Sequence, residues 1–487
     1  MPDPGARSPR RCVVIGGGIS GLAAAVALCD DDGGRWDVTL VEASDRLGGA
    51  IQTLSLGDYL VERGPDMFIT DKPSITEFCD RLGVSDQLVG TDPDFRGALV
   101  VRQGKPMRIP PGFQLLGTPR ILPVLRSPVF SWRGKLRMAC EPLVRRRRDE
   151  ADESVASFVR RRLGSEALER LVQPLVGGIY TGDPERLSLS ATLPRFVDME
   201  RDHGSLWRGL RARASRPTST GAGAATNSAG ARYGLFASLA GGLGDLVSAA
   251  SRRLEDRCET RLSTSVTALR RAVDEGATTV CLDGGETLQA DAVVLAVPPV
   301  VAADLVQGVS PELAASLRAI HSASSIVVTT GHRLDQVAHP LDAYGMVVPH
   351  AEGRRVLAVS FASRKLAGRA PEGRVLLRTF VGGELQPEWL ERDDNAVAEM
   401  VRAELQELLG VKGMPEMLDI TRYRGVMPQY EVGHVQRVAT IRARVEECPG
   451  IELAGNAMDG VGLPDCVESG LAAAKRVMAG NRRDGGD

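Results

Sequence analysis

Residues 12–28 read CVVIGGGISGLAAAVAL, and this stretch decides the fold. A run of β-branched residues enters a triple glycine, and an Ala-rich helix leaves it. Gly16, Gly18 and Gly21 keep the GxGxxG spacing. In such a turn one glycine permits the tight bend, one lets backbone approach a pyrophosphate, and one lets helix pack on strand. The free N–H groups and positive dipole end of the helix then face the phosphates. A second strand, WDVTLVEA, closes at Glu42. A carboxylate there can accept ribose hydroxyls, and it would repel a 2′-phosphate, which argues against NADP.

Outward from the turn, EASDRLGGAIQT (42–53) brings a second glycine pair, Gly48–Gly49, beside the pyrophosphate position. The segment around Val266 and ADAVVLAVPP (290–299) reads as a strand pair, and it resembles the segments that flank the adenine end of FAD. Near the C-terminus, AGNAMDGVGLPDC (454–466) repeats a strand, glycine turn and helix, whose N-terminus can stabilise negative charge on a reduced flavin ring. Together these features favour bound FAD over a passing nicotinamide.

The expected fold is α/β: a Rossmann-type FAD-binding domain in three pieces (1–83, 233–304, 421–487). An α-helical domain that faces a membrane in one reading (84–212) and a mixed α/β substrate domain (305–420) are inserted into it. LFASLAGGLGDLVSAASRRL (235–254) reads as a helix. Residues 213–232, small and polar without periodicity, read as a flexible loop.

Composition narrows the class. The 487 residues carry a net charge of −2, so nothing points to nucleic acid. Six histidines without HxxxH or HExxH spacing and eight cysteines without CxxC spacing argue against a metal site, and for reduced thiols in a cytoplasmic chain. No secretory core precedes the first strand and no run of about 18 apolar residues occurs, so no bilayer-spanning helix is expected. Peripheral contact with the inner face of the cell membrane stays open. Arg145–Arg148 is followed at once by DEADES and reads as a solvated face, with anionic lipid or substrate steering as the sharper alternative. Cys466 opens a helix and reads as a buried structural thiol.

Four segments, LVERGPDMFITDK (60–72), PLVGGIYTGDPERLSLSATLPRF (174–196), MPQYEVGHVQRV (427–438) and LAGNAMDGVGLPDCVESG (453–470), resemble one family. It is the oxygen-dependent protoporphyrinogen/coproporphyrinogen oxidases of haem synthesis. The acid after Gly-Pro and the terminal lysine of ERGPDMFITDK are more similar to its Gram-positive branch. The resemblance implies FAD-dependent oxidation of coproporphyrinogen III to coproporphyrin III, with O2 as acceptor and H2O2 released. Protoporphyrinogen IX is the alternative substrate.

By the same resemblance, FAD is contacted by Gly16, Gly18, Ile19, Ser20, Gly21, Glu42, Ala43, Arg46, Gly49 and Ala50. Gly64, Pro65, Asp66 and Met67 line the flavin ring, Val266 touches adenine, and Val461, Gly462 and Leu463 cover the other ring edge. Tyr423 stands where the family often has Trp, so its stacking role carries over less directly. Lys72 is the candidate cation for a propionate, against the plain alternative of an exposed lysine on a turn. Gly177, Gly178, Ile179 and Thr181 form a pocket wall, with the Gly178 carbonyl as acceptor for pyrrole N–H groups, or else a simple helix C-cap.

No acid/base residue is assigned, because the two pyrroles flanking each methylene bridge already activate its C–H bond. An amine oxidase or phytoene-desaturase-like enzyme shares the N-terminal glycines, but aromatic residues make up only 4% of the chain, too few to promise an amine cage. A non-catalytic flavin-bearing porphyrin carrier is separated from an oxidase by turnover with O2. The sequence leaves the oligomeric state, and any handover partner such as a ferrochelatase, undetermined.

Overall fold

The computed structural model describes residues 9–31, 35–113, 115–147, 149, 151–215, 235–271 and 277–480. The strand Arg10–Ile15 lies at the centre of a five-stranded parallel sheet. Trp36–Val41 and then Glu259–Arg261 lie to one side, Ala292–Leu295 and then Ile451–Leu453 to the other. Cys12 to Ile15 are all buried, as a parallel strand covered on both faces requires. Helices Ile19–Cys29, Gly244–Leu254 and Leu463–Gly480 cover one face through Leu22, Val26, Leu246 and Val467. A three-stranded antiparallel sheet (Val266–Arg271, Thr278–Leu282, Thr287–Ala290) and helices Pro299–Val306 and Pro311–Arg318 cover the other.

The inserted unit is a seven-stranded mixed sheet. Its order is Met417–Pro428, Ser322–Arg333, Arg374–Gly382, Ala358–Phe361, Gly345–Val347, Leu99–Arg102, Lys105–Arg108. Helix Asp394–Leu409 packs on one face through Val397, Val401, Leu405 and Leu408. The helical unit gathers Val155–Arg162, Gln173–Tyr180, Pro194–His203 and Leu206–Ser215 around Phe158, Leu171, Phe196 and Leu210.

The structure departs from the sequence reading in four places. Leu99–Arg102 and Lys105–Arg108 fall in the segment expected to be helical, yet form a hairpin on the inserted sheet. Gln103 and Gly104 both take positive φ, the two-residue turn that matches strand twist. Residues 305–318 were expected in the inserted unit, but Leu305, Leu313 and Leu317 pack on the nucleotide layer, while the sheet's last strand runs on to Pro428. LFASLAGGLGDLV is not one helix. Phe236–Leu239 is a strand between Phe68–Ile69 and Leu88–Gly90, Gly242 bends the chain at φ +96°, and the helix begins at Gly244. Of the expected loop at 213–232, residues 213–215 finish a helix and 216–232 lie outside the described residues. All eight cysteines are free, and among the described residues no helix is long and apolar enough to cross a membrane.

Candidate functional site

The three glycines of the first turn are required for different reasons. A Cβ on Gly16, whose φ is +103°, would stand 2.5 Å from the Ala296 carbonyl. On Gly21 it would stand 1.9 Å from the Gly16 carbonyl, so helix and strand meet backbone to backbone. Gly18 is different: its Cβ position has nothing within 4 Å. It caps helix Ile19–Cys29, which has neither a side-chain cap nor an acid in its first turn. The helix thus presents unpaired N–H groups to an open, side-chain-free hollow, the geometry a pyrophosphate needs. Ile19 and Ser20 are buried behind it.

The Gly48–Gly49 turn closes over the same hollow. Gly18 bridges Gly48 in parallel, the Gly48 amide donates to the Gly17 carbonyl at 2.8 Å, and Gly49 takes φ +56°. The Arg46 guanidinium folds onto its own turn, donating to the carbonyls of Leu47, Gly49 and Ile51 at 3.1, 2.7 and 3.0 Å. It shapes the turn more than it reaches along it. The Glu42 carboxylate accepts from the Gly17 amide at 2.6 Å and from the Ser44 amide and hydroxyl. Ala43 is exposed beside it. The Ser263 and Thr264 amides bond back to the carbonyls of Ser44 and Glu42, which sets Val266, opening its strand opposite Leu282, at the Glu42 end.

Gly64, Pro65, Asp66 and Met67 continue this wall, each half-buried. A Cβ on Gly64 would fall 1.8 Å from the Ala50 carbonyl, so the two segments touch as bare backbone, and it would stand 3.3 Å from the Tyr423 hydroxyl. The Asp66 carboxylate does not point into this cleft. It is turned into the inserted sheet, 2.5 Å from Lys365 Nζ and 3.0 Å from an Arg378 nitrogen. Only the backbone of Asp66 is left to face a ring. Helix Leu463–Gly480 crosses the first turn of Ile19–Cys29 at Gly470, whose Cβ would meet the Ser20 carbonyl at 2.1 Å. Seven residues earlier, about 10 Å along the axis, its N-terminus brings Val461, Gly462 and Leu463 to the same side. Cys466 is buried, and burial pushes its thiol up to about 12, the inert structural cysteine expected.

Gly177, Gly178 and Ile179 form the last turn of helix Gln173–Tyr180, and Thr181 is its left-handed cap at φ +51°. The backbone shows the helix C-cap reading of this segment. A Cβ on Gly178 would lie 3.8 Å from Val347, on the sheet opposite. The Gly178 carbonyl belongs to the last turn, where carbonyls have no i+4 donor. The Gly383 turn and Gln429 fix the cap, through Glu384 N to Thr181 O at 2.9 Å and Gln429 Nε2 to Tyr180 O at 2.9 Å. Lys72 is exposed and its ammonium pairs with Asp465, which also accepts from the Gly462 amide at 3.2 Å. Of the arginine run, Arg145 and Arg146 are exposed, Arg147 pairs with Asp149 and Glu153, and Arg148 lies outside the described residues.

Sequence reasoning missed Lys365 and Arg378. The signal was present for Arg378: one arginine inside the apolar strand RVLLRTFVG (374–382) demands a buried partner. Lys365 gave no such sign.

A parallel sheet with a side-chain-free hollow at its carboxyl edge, an acid beside it and a second helix packed on the first helix's opening turn defines a dinucleotide-binding protein. The chain belongs to the flavin-containing amine oxidoreductase family, whose model matches residues 19–478. It is 35% identical to a coproporphyrinogen III oxidase of Bacillus subtilis (strain 168) over 476 residues, 96% of this chain and 98% of that one. It is 36% identical to one of Propionibacterium freudenreichii subsp. freudenreichii over 499 residues, covering 98% and 92%. A solved structure from Exiguobacterium sp. 255-15, provisionally assigned as a protoporphyrinogen oxidase, superposes with a TM-score of 0.84 at 30% identity, covering 97% and 100%. The resemblance read from four segments is borne out over the whole chain. The protein is a flavin oxidoreductase and its cofactor is FAD.

Proposed function

We propose that the chain oxidises coproporphyrinogen III to coproporphyrin III, removing six electrons in three two-electron steps with O2 as acceptor. What carries the reading is the side-chain-free hollow at Gly18, closed by the Gly48–Gly49 turn and continued by the bare backbone contact of Gly64 with Ala50. The kinship names its occupant.

In this reading Gly16, Gly18, Ile19, Ser20 and Gly21 hold the pyrophosphate, with Gly49 and Ala50 closing over it and Arg46 bracing their turn. Glu42 takes a ribose hydroxyl on the one lone pair that Gly17 and Ser44 leave free. Ala43 and Val266 flank the adenine. The backbone of Gly64, Pro65, Asp66 and Met67, with Tyr423, lies against one side of the flavin. Val461, Gly462 and Leu463 cover the other edge, where the helix dipole favours negative charge. Held by these residues, FAD would supply the two-electron acceptor chemistry for each oxidation, with O2 as final acceptor.

The remaining tasks of the chain are orientation and exclusion of water. The Gly178 carbonyl accepts pyrrole N–H bonds, while Gly177, Ile179 and Thr181 shape the wall. Lys72 has three donors and spends one on Asp465, leaving two for a propionate. The product, a metal-free porphyrin, is the substrate class of a ferrochelatase, the handover partner this reading entails.

The test is turnover in air of coproporphyrinogen III and, separately, protoporphyrinogen IX, followed by porphyrin fluorescence. Faster oxidation of the first is expected, and preference for the second would overturn the substrate assignment. Lys72→Met should raise KM about tenfold with kcat little changed, as loss of one charge-assisted contact does. An unchanged KM removes Lys72 from the site.

A second surface bears on location. Trp132 and Leu136, one turn apart, are 77% and 67% exposed, and Leu143 is 80% exposed. Exposed Arg126, Arg133, Arg145 and Arg146 accompany them in sequence. Apolar side chains with basic companions suit an anionic lipid surface, so we assign this face a peripheral contact with the cytoplasmic leaflet. Flotation with phosphatidylglycerol vesicles tests it: Trp132→Ser/Leu136→Ser should abolish co-flotation, and absence of wild-type co-flotation would refute the contact.

A further inference from the structure

Behind the Gly64–Met67 wall lies a buried ionic cluster that the mechanism above does not use. Asp66 pairs with Lys365 at 2.5 Å and with Arg378 at 3.0 Å. The other Arg378 nitrogen donates to the Gly64 carbonyl, and the Asp66 carbonyl accepts from Ser238 Oγ at 2.8 Å. Ser238 is in turn held by Arg369 at 3.2 Å, which also donates to the carbonyls of Leu239 and Ala240 at 2.8 Å. Glu62 completes the group, accepting from Thr53 and the Leu243 amide. All except Asp66 are buried outright, and Asp66 is half-buried.

At the wall itself Lys365 and Arg378 stand against the single carboxylate of Asp66, a surplus of one positive charge within this triad, while Arg369 behind it faces Glu62 and Asp245. Burial opposes the charge on Asp66, but Lys365 and Arg378 more than offset it and hold the carboxyl below its ordinary range. Burial also lowers Lys365, against the pull of Asp66. In register on the sheet, Arg378 stands between Thr329 and Ser360, and Arg378 Nε and the two hydroxyls have no partner among the described residues.

We propose that Asp66, Lys365 and Arg378 are positioning residues that lock the flavin-lining segment in place, and that their surplus positive charge favours the reduced, anionic flavin. Charge fixed in a dry site acts on a neighbouring cofactor far more strongly than in water. The inference rests on Gly64–Met67 lining the flavin.

Wild-type FAD content and turnover are measured first. Protein that carries no FAD would sink the FAD reading itself, separately from the charge argument. Two near-isosteric variants then alter the charge in opposite senses. Asp66→Asn adds one positive charge, and Lys365→Gln removes one while keeping a donor for Asp66. Sulfite, whose adduct at N5 leaves the flavin anionic, is the probe, alongside the flavin's reduction potential.

Sulfite should bind about tenfold more tightly in Asp66→Asn and about tenfold more weakly in Lys365→Gln, with the potential rising and falling in step. The double variant Asp66→Asn/Lys365→Gln restores the wild-type charge sum and should return both readings to wild type. A purely structural role would shift both single variants the same way, by loosening the wall. Shifts in the same direction, or a double variant still displaced from wild type, overturn the proposal. If one single variant fails to fold, the sign of the other's shift decides it: tighter sulfite in Asp66→Asn or weaker sulfite in Lys365→Gln supports the proposal, and no shift or the reverse shift overturns it.

Discussion

Gly18 and Gly21 are three residues apart and should fail differently when mutated to alanine. A methyl on Gly21 collides with the Gly16 carbonyl at 1.9 Å, so Gly21→Ala must separate helix from strand and lower stability as well as FAD content. A methyl on Gly18 meets no protein atom, and Gly18 already sits at φ −69°, which alanine tolerates. Gly18→Ala should therefore melt like the wild-type apoprotein while retaining FAD at least about tenfold less well, because the methyl fills the phosphate hollow. Flavin absorbance after gel filtration, set beside the apoprotein melting point, separates the two. Wild-type retention in Gly18→Ala would contradict the cradle. The glycines were legible in sequence because their constraint is local. The orientation of Asp66 was not, because its partner Lys365 lies 299 residues away.

Elements carry the next set of consequences. Glu141, 2% exposed, ties two distant helices together: it pairs with fully buried Arg162 at the end of Val155–Arg162, and it accepts from the Leu206 and Trp207 amides that open Leu206–Ser215. Glu141→Leu strands a buried guanidinium, and denaturant unfolding should show a loss of about 3–5 kcal/mol. A loss below about 1 kcal/mol would mean that Arg162 finds other compensation in Glu200. His332 offers a pH test. It is buried in the strand Ser322–Arg333 with neither ring nitrogen bonded among the described residues. Burial, opposed by Glu416, pulls its imidazole down to about 4 from 6.5. Between those values the unfolded chain holds a proton that the folded chain does not, so stability falls as pH drops through that window. His332→Leu should flatten this acid limb in melting curves taken across it, and an unaltered limb would assign the loss to other groups.

Legibility at this scale depended on the turn. The hairpin at 99–108 carried a readable signal in Gln103–Gly104 that the surrounding helical texture masked. The strand Phe236–Leu239 had little signal of its own, since its small residues gain strand identity only by pairing with segments far away in sequence.

The whole molecule is a nucleotide domain built in three pieces, to which the chain returns twice. Its α/β class and its recurrence at the C-terminus could be read in advance, because each return brings a strand, a glycine turn and a helix. The partition between units could not, since helices 299–318 read alike whether they cover one sheet or another, and only packing assigns them to the nucleotide layer. The central claim belongs to this scale, because it needs flavin and porphyrinogen in one cleft. Anaerobic mixing of the flavin-loaded protein with coproporphyrinogen III addresses it most directly. The oxidised-flavin absorbance should bleach within the turnover time, and readmitted air should restore it with three H2O2 formed per coproporphyrin. Flavin that stays bound and oxidised in the presence of the porphyrinogen would contradict the account.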